Sequence, residues 1–161
     1  MLFKSVQIVI TMLNRGLIKF GLVLEFITEF LYFILILFPR YFGFIFILPI
    51  ILTYLLSSIM MYLGFNEYSH SLSVGSIGAA LLMLGSLVIL VTHIISMSYL
   101  ISMVGMGIIF LGDISISLFF WRTAQRGFLI KIGAVLNAIP IIAFIGSILL
   151  AIGIDYVEDL G

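Results

Sequence analysis

Three carboxylates stand in stretches of the sequence that are otherwise suited to hydrocarbon. Asp113 lies in "MGIIFLGDISISLFFW" (106–121), and Glu25 and Glu29 lie in "FGLVLEFITEFLYFILILF" (20–38). An ionisable side chain inside such a stretch is costly to bury and marks a functional site by default. These three residues are therefore the first candidates for chemistry.

Asp113 precedes Trp121 by eight residues, which places it about 12 Å deeper along a helix and close to the centre of a bilayer. Asn137, six residues after Lys131, falls at a comparable depth in the next apolar stretch. A protonated Asp113 bonded to Asn137 would be a structural clamp between two helices. Proton or ion handling, and pairing with a cation of a partner protein, are the alternative interpretations.

Glu25 and Glu29 are one helical turn apart and share a face. Two carboxylates this close in a low dielectric do not both ionise readily without a counter-charge. Lys19 lies on a different helical face and Arg40 at the far side of the membrane, so we predict a basic residue from another subunit. An interfacial helix whose acids reach water is the alternative, and a carboxylate metal site would need more ligands than the sequence gathers.

Other chemistry is excluded or unsupported by the composition. The chain has no cysteine, which rules out disulfides, thiol catalysis and iron–sulfur ligation. His93 lies near the outer end of the third apolar stretch and His70 in an inner loop, so two histidines cannot hold one haem. We find no nucleotide-binding fingerprint and no nucleophile–base pair. We therefore predict no cofactor, no metal and no catalytic residue, and the zero formal net charge argues against a nucleic-acid partner.

The elements that position these residues must be membrane helices. The chain is 64% hydrophobic and 9% charged, with a mean hydropathy of +1.41, and lipid requires every backbone group to be satisfied internally. We predict an all-α integral membrane protein, a single domain over 1–161 with no soluble domain. Five spans are predicted, at about 20–38, 41–63, 72–95, 99–121 and 128–154.

Two features of this prediction are open. A gapped polar stripe from Lys4 to Tyr32 gives the alternative of four spans plus a long N-terminal amphipathic helix in the interface. Pro49 and Pro140 fall inside spans, where a proline usually kinks a helix and in transporters can break it to build a binding site.

The distribution of basic residues predicts the orientation. With five spans, one side holds six of the seven Lys and Arg residues, which favours a cytoplasmic N-terminus and an outside C-terminus. The side chains that would anchor the inner interface are Trp121, Arg122, Arg126 and Lys131. The predicted location is a multi-pass position in a membrane, most simply a prokaryotic plasma membrane.

The first two spans are bulky, whereas the later spans contain small-xxx-small steps at Ser76/Ala80, Ala134/Ala138 and Ser147/Ala151 that favour tight packing. Gly105, Gly107 and Gly112 are predicted packing glycines. With little mass outside the membrane and acids that lack partners, the leading prediction is a non-catalytic accessory subunit of a larger membrane complex, such as a respiratory-type assembly. It would contact other subunits through the first two helices and Glu25/Glu29. The alternative is a homo-oligomeric channel or transporter that uses the intramembrane carboxylates.

Overall fold

The computed structural model describes residues 2–38, 46–68, 73–95, 99–123 and 127–156, and these ranges are almost entirely helical. The helices are α1 (Leu2–Leu37), α2 (Ile47–Tyr68), α3 (Val74–Ile94), α4 (Tyr99–Thr123), α5 (Phe128–Asn137) and α6 (Ala143–Gly153), followed by a 3-10 turn (Ile154–Tyr156).

Among the described residues, four helical segments are long and apolar enough to cross a membrane: Asn14–Leu37, Ile47–Asn66, Val74–Ile94 and Tyr99–Thr123. The chain is therefore an all-helical, multi-pass membrane protein. The segment 20–38, which carries two glutamates, belongs to one of these four helices.

The fifth predicted span, 128–154, is not confirmed. The structure has two short helices there, and each is about 15 Å long, half the thickness of a bilayer core. Residues 138–142 between them are not helical. Pro140 has no backbone N–H to donate to the preceding turn, and the chain reverses there through a bond from the Ile139 N–H to the Leu136 carbonyl of 3.1 Å.

The two short helices pack side by side as an antiparallel hairpin, hereafter the hairpin. Gly133 of α5 faces Leu149 and Leu150 of α6, where a Cβ atom would come within 3.1 Å of either residue. At the tip, Gly146 lies against the backbone of Asn137, at a spacing that leaves no room for a side chain. A glycine is required here because the two backbones approach closely.

The hairpin closes a ring of helices. Consecutive helices from α1 to α6 pack against each other, and α6 packs back against α1. Lys19 of α1 forms an ion pair with Asp155, just after α6, so the chain returns to the end of the bundle from which it started. We call this end of the bundle the basic end, because Lys19, Arg122 and Lys131 lie there. We call the other end of the bundle the opposite end. The predicted outside C-terminus is therefore not confirmed.

The basic half of the bundle is filled by packed side chains, and α3 and α4 are in close contact. A Cβ on Gly112 would lie 2.9 Å from the carbonyl oxygen of Gly78, so both positions need glycine for the helices to approach. Gly105 packs similarly, whereas Gly107 meets no atom within 4 Å and does not serve as a packing glycine. The buried apolar side chains of the basic half include Ile18, Leu22, Met61, Phe65, Leu82, Ile116, Phe120, Ile130, Leu150 and Ile154.

Candidate functional site

Glu25, Glu29 and Asp113 meet in the middle of the bundle. One carboxylate oxygen from each lies within 4.8 Å of the others, and we call this group the carboxylate cluster. Glu25 is about 9 Å along α1 from Lys19, and Asp113 is about 13 Å along α4 from Arg122, which puts the cluster near mid-membrane depth. The three residues that the sequence analysis singled out thus form one site rather than two.

Two neighbouring hydroxyl groups hold the cluster in place. The Tyr54 hydroxyl of α2 donates to Asp113 Oδ1 at 3.2 Å, and the Ser147 hydroxyl of α6 lies 3.0 Å from Glu29 Oε2. The site is therefore built from α1, α2, α4 and the hairpin. Both hydroxyl groups are neutral, so these contacts supply no counter-charge.

Glu25 is the most enclosed member of the cluster. Its side chain is 0% exposed, and no hydroxyl, amide or backbone donor among the described residues hydrogen-bonds to its carboxyl oxygens. The Asp113 carboxyl group is the neighbour with which it can share a proton. Two ionised carboxylates 4.8 Å apart repel each other by about 3.5 kcal/mol at an effective dielectric constant of about 20. Three ionised carboxylates cannot persist together in this place, so the cluster must hold protons or a cation.

Asn137 joins a second polar group beside the cluster. Its side-chain oxygen lies 2.9 Å from the Ser147 hydroxyl, and its amide nitrogen donates to the Ser117 hydroxyl of α4 at 3.4 Å. The predicted bond between Asp113 and Asn137 is not formed; the structure pairs Asp113 with Tyr54 instead. The reason is the hairpin, which turns Asn137 at the end of α5 toward α6.

A cavity of about 1190 Å³ opens on the cluster from the opposite half of the bundle. The hairpin occupies the space between α4 and α1 only in the basic half, because its tip lies at mid-depth. Asp113, Glu29 and Tyr54 form the floor of the cavity together with Pro140 and Ile141 of the hairpin tip. The walls are mostly apolar and include Tyr32, Phe33, Ile36, Ile50, Ile89, Met106, Gly107, Ile109 and Phe110.

The remaining predicted site residues lie away from the cluster. His93 lines the cavity toward its opposite end. At the basic end, the Lys131 ammonium lies 5.7 Å from the centre of the Trp121 ring, a cation–π contact between α5 and α4. Arg122 is exposed in the last turn of α4, and Arg126 lies outside the described residues.

Tyr54 and Ser147 contact the cluster but were not predicted from the sequence as site residues. Each is a hydroxyl-bearing residue in an apolar stretch, but many such residues bond only to their own helix, as Thr53 does to the Pro49 carbonyl. Their role depends on helix pairing, which a single sequence does not reveal.

Comparison of the chain with protein-family models, with curated proteins and with solved structures gave no match. The chemistry of the site therefore rests on its geometry. Three carboxylate oxygens and a nearby phenol are hard oxygen donors, a set that suits protons, metal cations or ammonium groups.

Proposed function

We propose that the protein is a small membrane carrier that binds a cation at the carboxylate cluster in exchange for protons. The observation that carries this proposal is the grouping of three carboxyl groups within 4.8 Å, of which Glu25 and Asp113 are buried and Glu29 is half-buried. Glu25 accepts no hydrogen bond from a hydroxyl, amide or backbone donor among the described residues. The same acids were the basis of the transporter alternative derived from the sequence.

Exchange follows from the electrostatics of the cluster. Without a bound cation, mutual repulsion keeps protons on the carboxyl groups. A bound cation supplies the missing positive charge and expels one or more of these protons, just as metal binding to any acidic site releases protons. Because cation and proton compete for one site, each weakens the binding of the other, which is the thermodynamic requirement for antiport.

Access from one side supports a carrier over an open pore. The cavity leads to the cluster from the opposite half, while packed apolar side chains fill the basic half among the described residues. Transport then requires a second conformation that opens toward the basic end. We assign the movement to the hairpin, because its Ser147 contacts Glu29 and its Asn137 contacts Ser117, so that occupancy of the cluster affects its packing.

Proton release tests the proposal directly. The full-length protein is reconstituted into liposomes containing a pH-sensitive dye, and inorganic and organic cations are added outside one at a time. We expect at least one cation to drive proton movement across the membrane in the wild-type protein, and Glu25→Gln and Asp113→Asn to abolish it. Asp155→Asn is the matched control, since it makes the same chemical change at an exposed carboxylate far from the cluster. Wild-type liposomes that respond to no cation would overturn the proposal.

We further propose that the basic end faces the cytoplasm of a prokaryotic cell and that the hairpin enters the membrane from that side and returns to it. The concentration of Lys and Arg at that end supports this orientation. The absence of native cysteine allows single-cysteine labelling with a membrane-impermeant reagent in intact cells. We expect Ile94→Cys to be labelled, and Thr123→Cys and Asp155→Cys to be protected. Labelling of Asp155→Cys together with Ile94→Cys would instead support a fifth span.

A second proposal is the accessory subunit of a larger membrane complex. The observation that favours it is the strongly exposed apolar face of α4, where Leu100 and Val104 are each at least 60% exposed. This proposal ranks second for two reasons. Lipid alone can cover an apolar face of this kind, and protons or a bound cation can neutralise the carboxylate cluster without a basic residue from a partner. Its test is the native mass in mild detergent: co-migration with larger chains in fixed proportion supports it, and a lone chain or a symmetric oligomer refutes it.

A further inference from the structure

The cavity above the carboxylate cluster is much larger than an inorganic cation needs. Its volume of about 1190 Å³ slightly exceeds the range of about 300–1,000 Å³ that is typical of sites for drug-sized ligands. A metal ion would occupy a small part of the floor and leave the apolar walls without a role. The size of the cavity therefore indicates an organic ligand.

The charge of the cavity selects the sign of that ligand. Two of its floor residues, Glu29 and Asp113, are acidic, and no Lys or Arg is among the described residues that line it. A phospholipid phosphate or a carboxylic acid would meet only like charge at the floor. A positive charge would complement the floor and replace the protons of the cluster.

The walls match an apolar or aromatic body. Tyr32 and Phe33 of α1 and Tyr99 and Phe110 of α4 line the cavity on two sides. Aromatic rings bury large apolar areas and attract cations through their faces, an attraction that grows when water is excluded. The segment of α4 from Ser102 to Asp113 is about 16 Å long, and both residues line the cavity. This is the length available to a ligand between the floor of the cavity and the opposite end of the bundle.

We propose that the cavity binds a hydrophobic organic cation, such as a protonated amine or a quaternary ammonium or phosphonium ion. Its charged centre lies at the carboxylate cluster and its apolar body lies along the walls formed by α1 and α4. The inference names the substrate class of the proposed carrier and so rests on that function. It does not follow from that function, because a carrier of metal ions would use the same acids.

Tetraphenylphosphonium is a suitable probe because it combines one positive charge with four apolar rings. Its binding to the purified full-length protein in mild detergent is measured by isothermal titration calorimetry in a weakly buffered solution, with proton release followed by an indicator dye. We expect saturable binding with proton release. Glu25→Gln should weaken binding by about 30-fold or more, the usual loss when one partner of a buried charge pair is removed.

A cavity-filling pair of variants separates the apolar walls from the acids. Gly107 lines the cavity with no atom within 4 Å of its side-chain position, so Gly107→Trp should fill the space and abolish tetraphenylphosphonium binding. Val104→Trp adds the same ring to the exposed face of the same helix and should leave binding unchanged. Ser102→Phe, at another wall position, replaces Gly107→Trp if that variant does not elute as a monodisperse protein.

The outcomes distinguish this inference from the proposed function. Proton release by Mn²⁺, Ca²⁺ or Na⁺ without tetraphenylphosphonium binding would overturn the organic-cation inference and leave a carrier of inorganic cations. Binding that Gly107→Trp and Ser102→Phe leave intact would overturn it as well. Tetraphenylphosphonium binding that depends on Glu25 but drives no proton movement in liposomes would retain the binding site and overturn transport. No response to any cation would overturn both.

Discussion

Replacing Glu25 by glutamine should stabilise the protein while it disables the site. Glu25→Gln keeps the shape of the side chain and removes one charge from the cluster. The repulsion from each ionised neighbour at 4.8 Å is about 3.5 kcal/mol at an effective dielectric constant of about 20. Protons on the cluster already relieve much of this repulsion, so we expect only part of it, about 1–3 kcal/mol, as a net gain.

The introduced amide always carries hydrogen-bond donors, whereas the carboxyl group carries one only when it is protonated. It can donate to the carboxylate oxygens of Glu29 and Asp113, which lie within reach of the present Glu25 oxygens. Buried donors of this kind are stabilising only when they are satisfied. The change therefore removes a repulsion without leaving an unpaired polar group.

Thermal unfolding in mild detergent at fixed pH and without added cations measures the effect. At about 2–4 °C per kcal/mol for a chain of this size, the melting temperature should rise by about 2–12 °C. Asp155→Asn is the control, and its exposed ion pair with Lys19 is worth at most about 1 kcal/mol. A fall in the melting temperature of Glu25→Gln would show that the Glu25 carboxyl group is a structural element, and the electrostatic reasoning would fail.

Three further predictions concern the scaffold. Gly112→Ala should destabilise the protein by about 1–3 kcal/mol because its Cβ would press on a backbone carbonyl of α3, whereas Gly107→Ala should be tolerated; thermal unfolding compares the two. Ser147→Ala should leave Asn137 and Glu29 without a shared hydroxyl group and cost about 1–2 kcal/mol, measured in the same way. Lys19→Ala should change the melting temperature by no more than about 4 °C, since its ion pair is exposed.

The residues of the site were largely predictable, but their arrangement was not. Acids in apolar stretches are conspicuous because lipid makes them costly, and this identified Glu25, Glu29 and Asp113. Their meeting depends on which helices are neighbours. In the structure, the Asp113 side chain of α4 meets the two glutamates of α1 although the two helices do not pack against each other, and this proximity has no signal in a single sequence.

The hairpin shows a different limit of sequence reasoning. Residues 128–154 have the length and hydropathy of a spanning helix, and Pro140 alone is compatible with a kink or a break. The structure has a full reversal because Gly133, Gly146 and Gly153 let two backbones pack together at close range. The sequence of 128–154 has small residues on one face before and after Pro140. Such residues favour the packing of the two halves against each other, but they equally favour the packing of one continuous helix against a neighbouring helix.

The non-helical break in the hairpin lies at the same depth as the carboxylate cluster and the floor of the cavity. The cavity explains how this break can exist inside a membrane. Non-helical backbone at mid-membrane depth is tolerated only where protein or water satisfies its polar groups. Residues 138–142 meet this condition because Pro140 and Ile141 line the cavity, which provides the space for water or ligand. A continuous fifth helix would fill that space above Glu29 and Asp113. The half-length hairpin thus leaves a cavity beside a deep acidic site, which the proposed cation carrier requires.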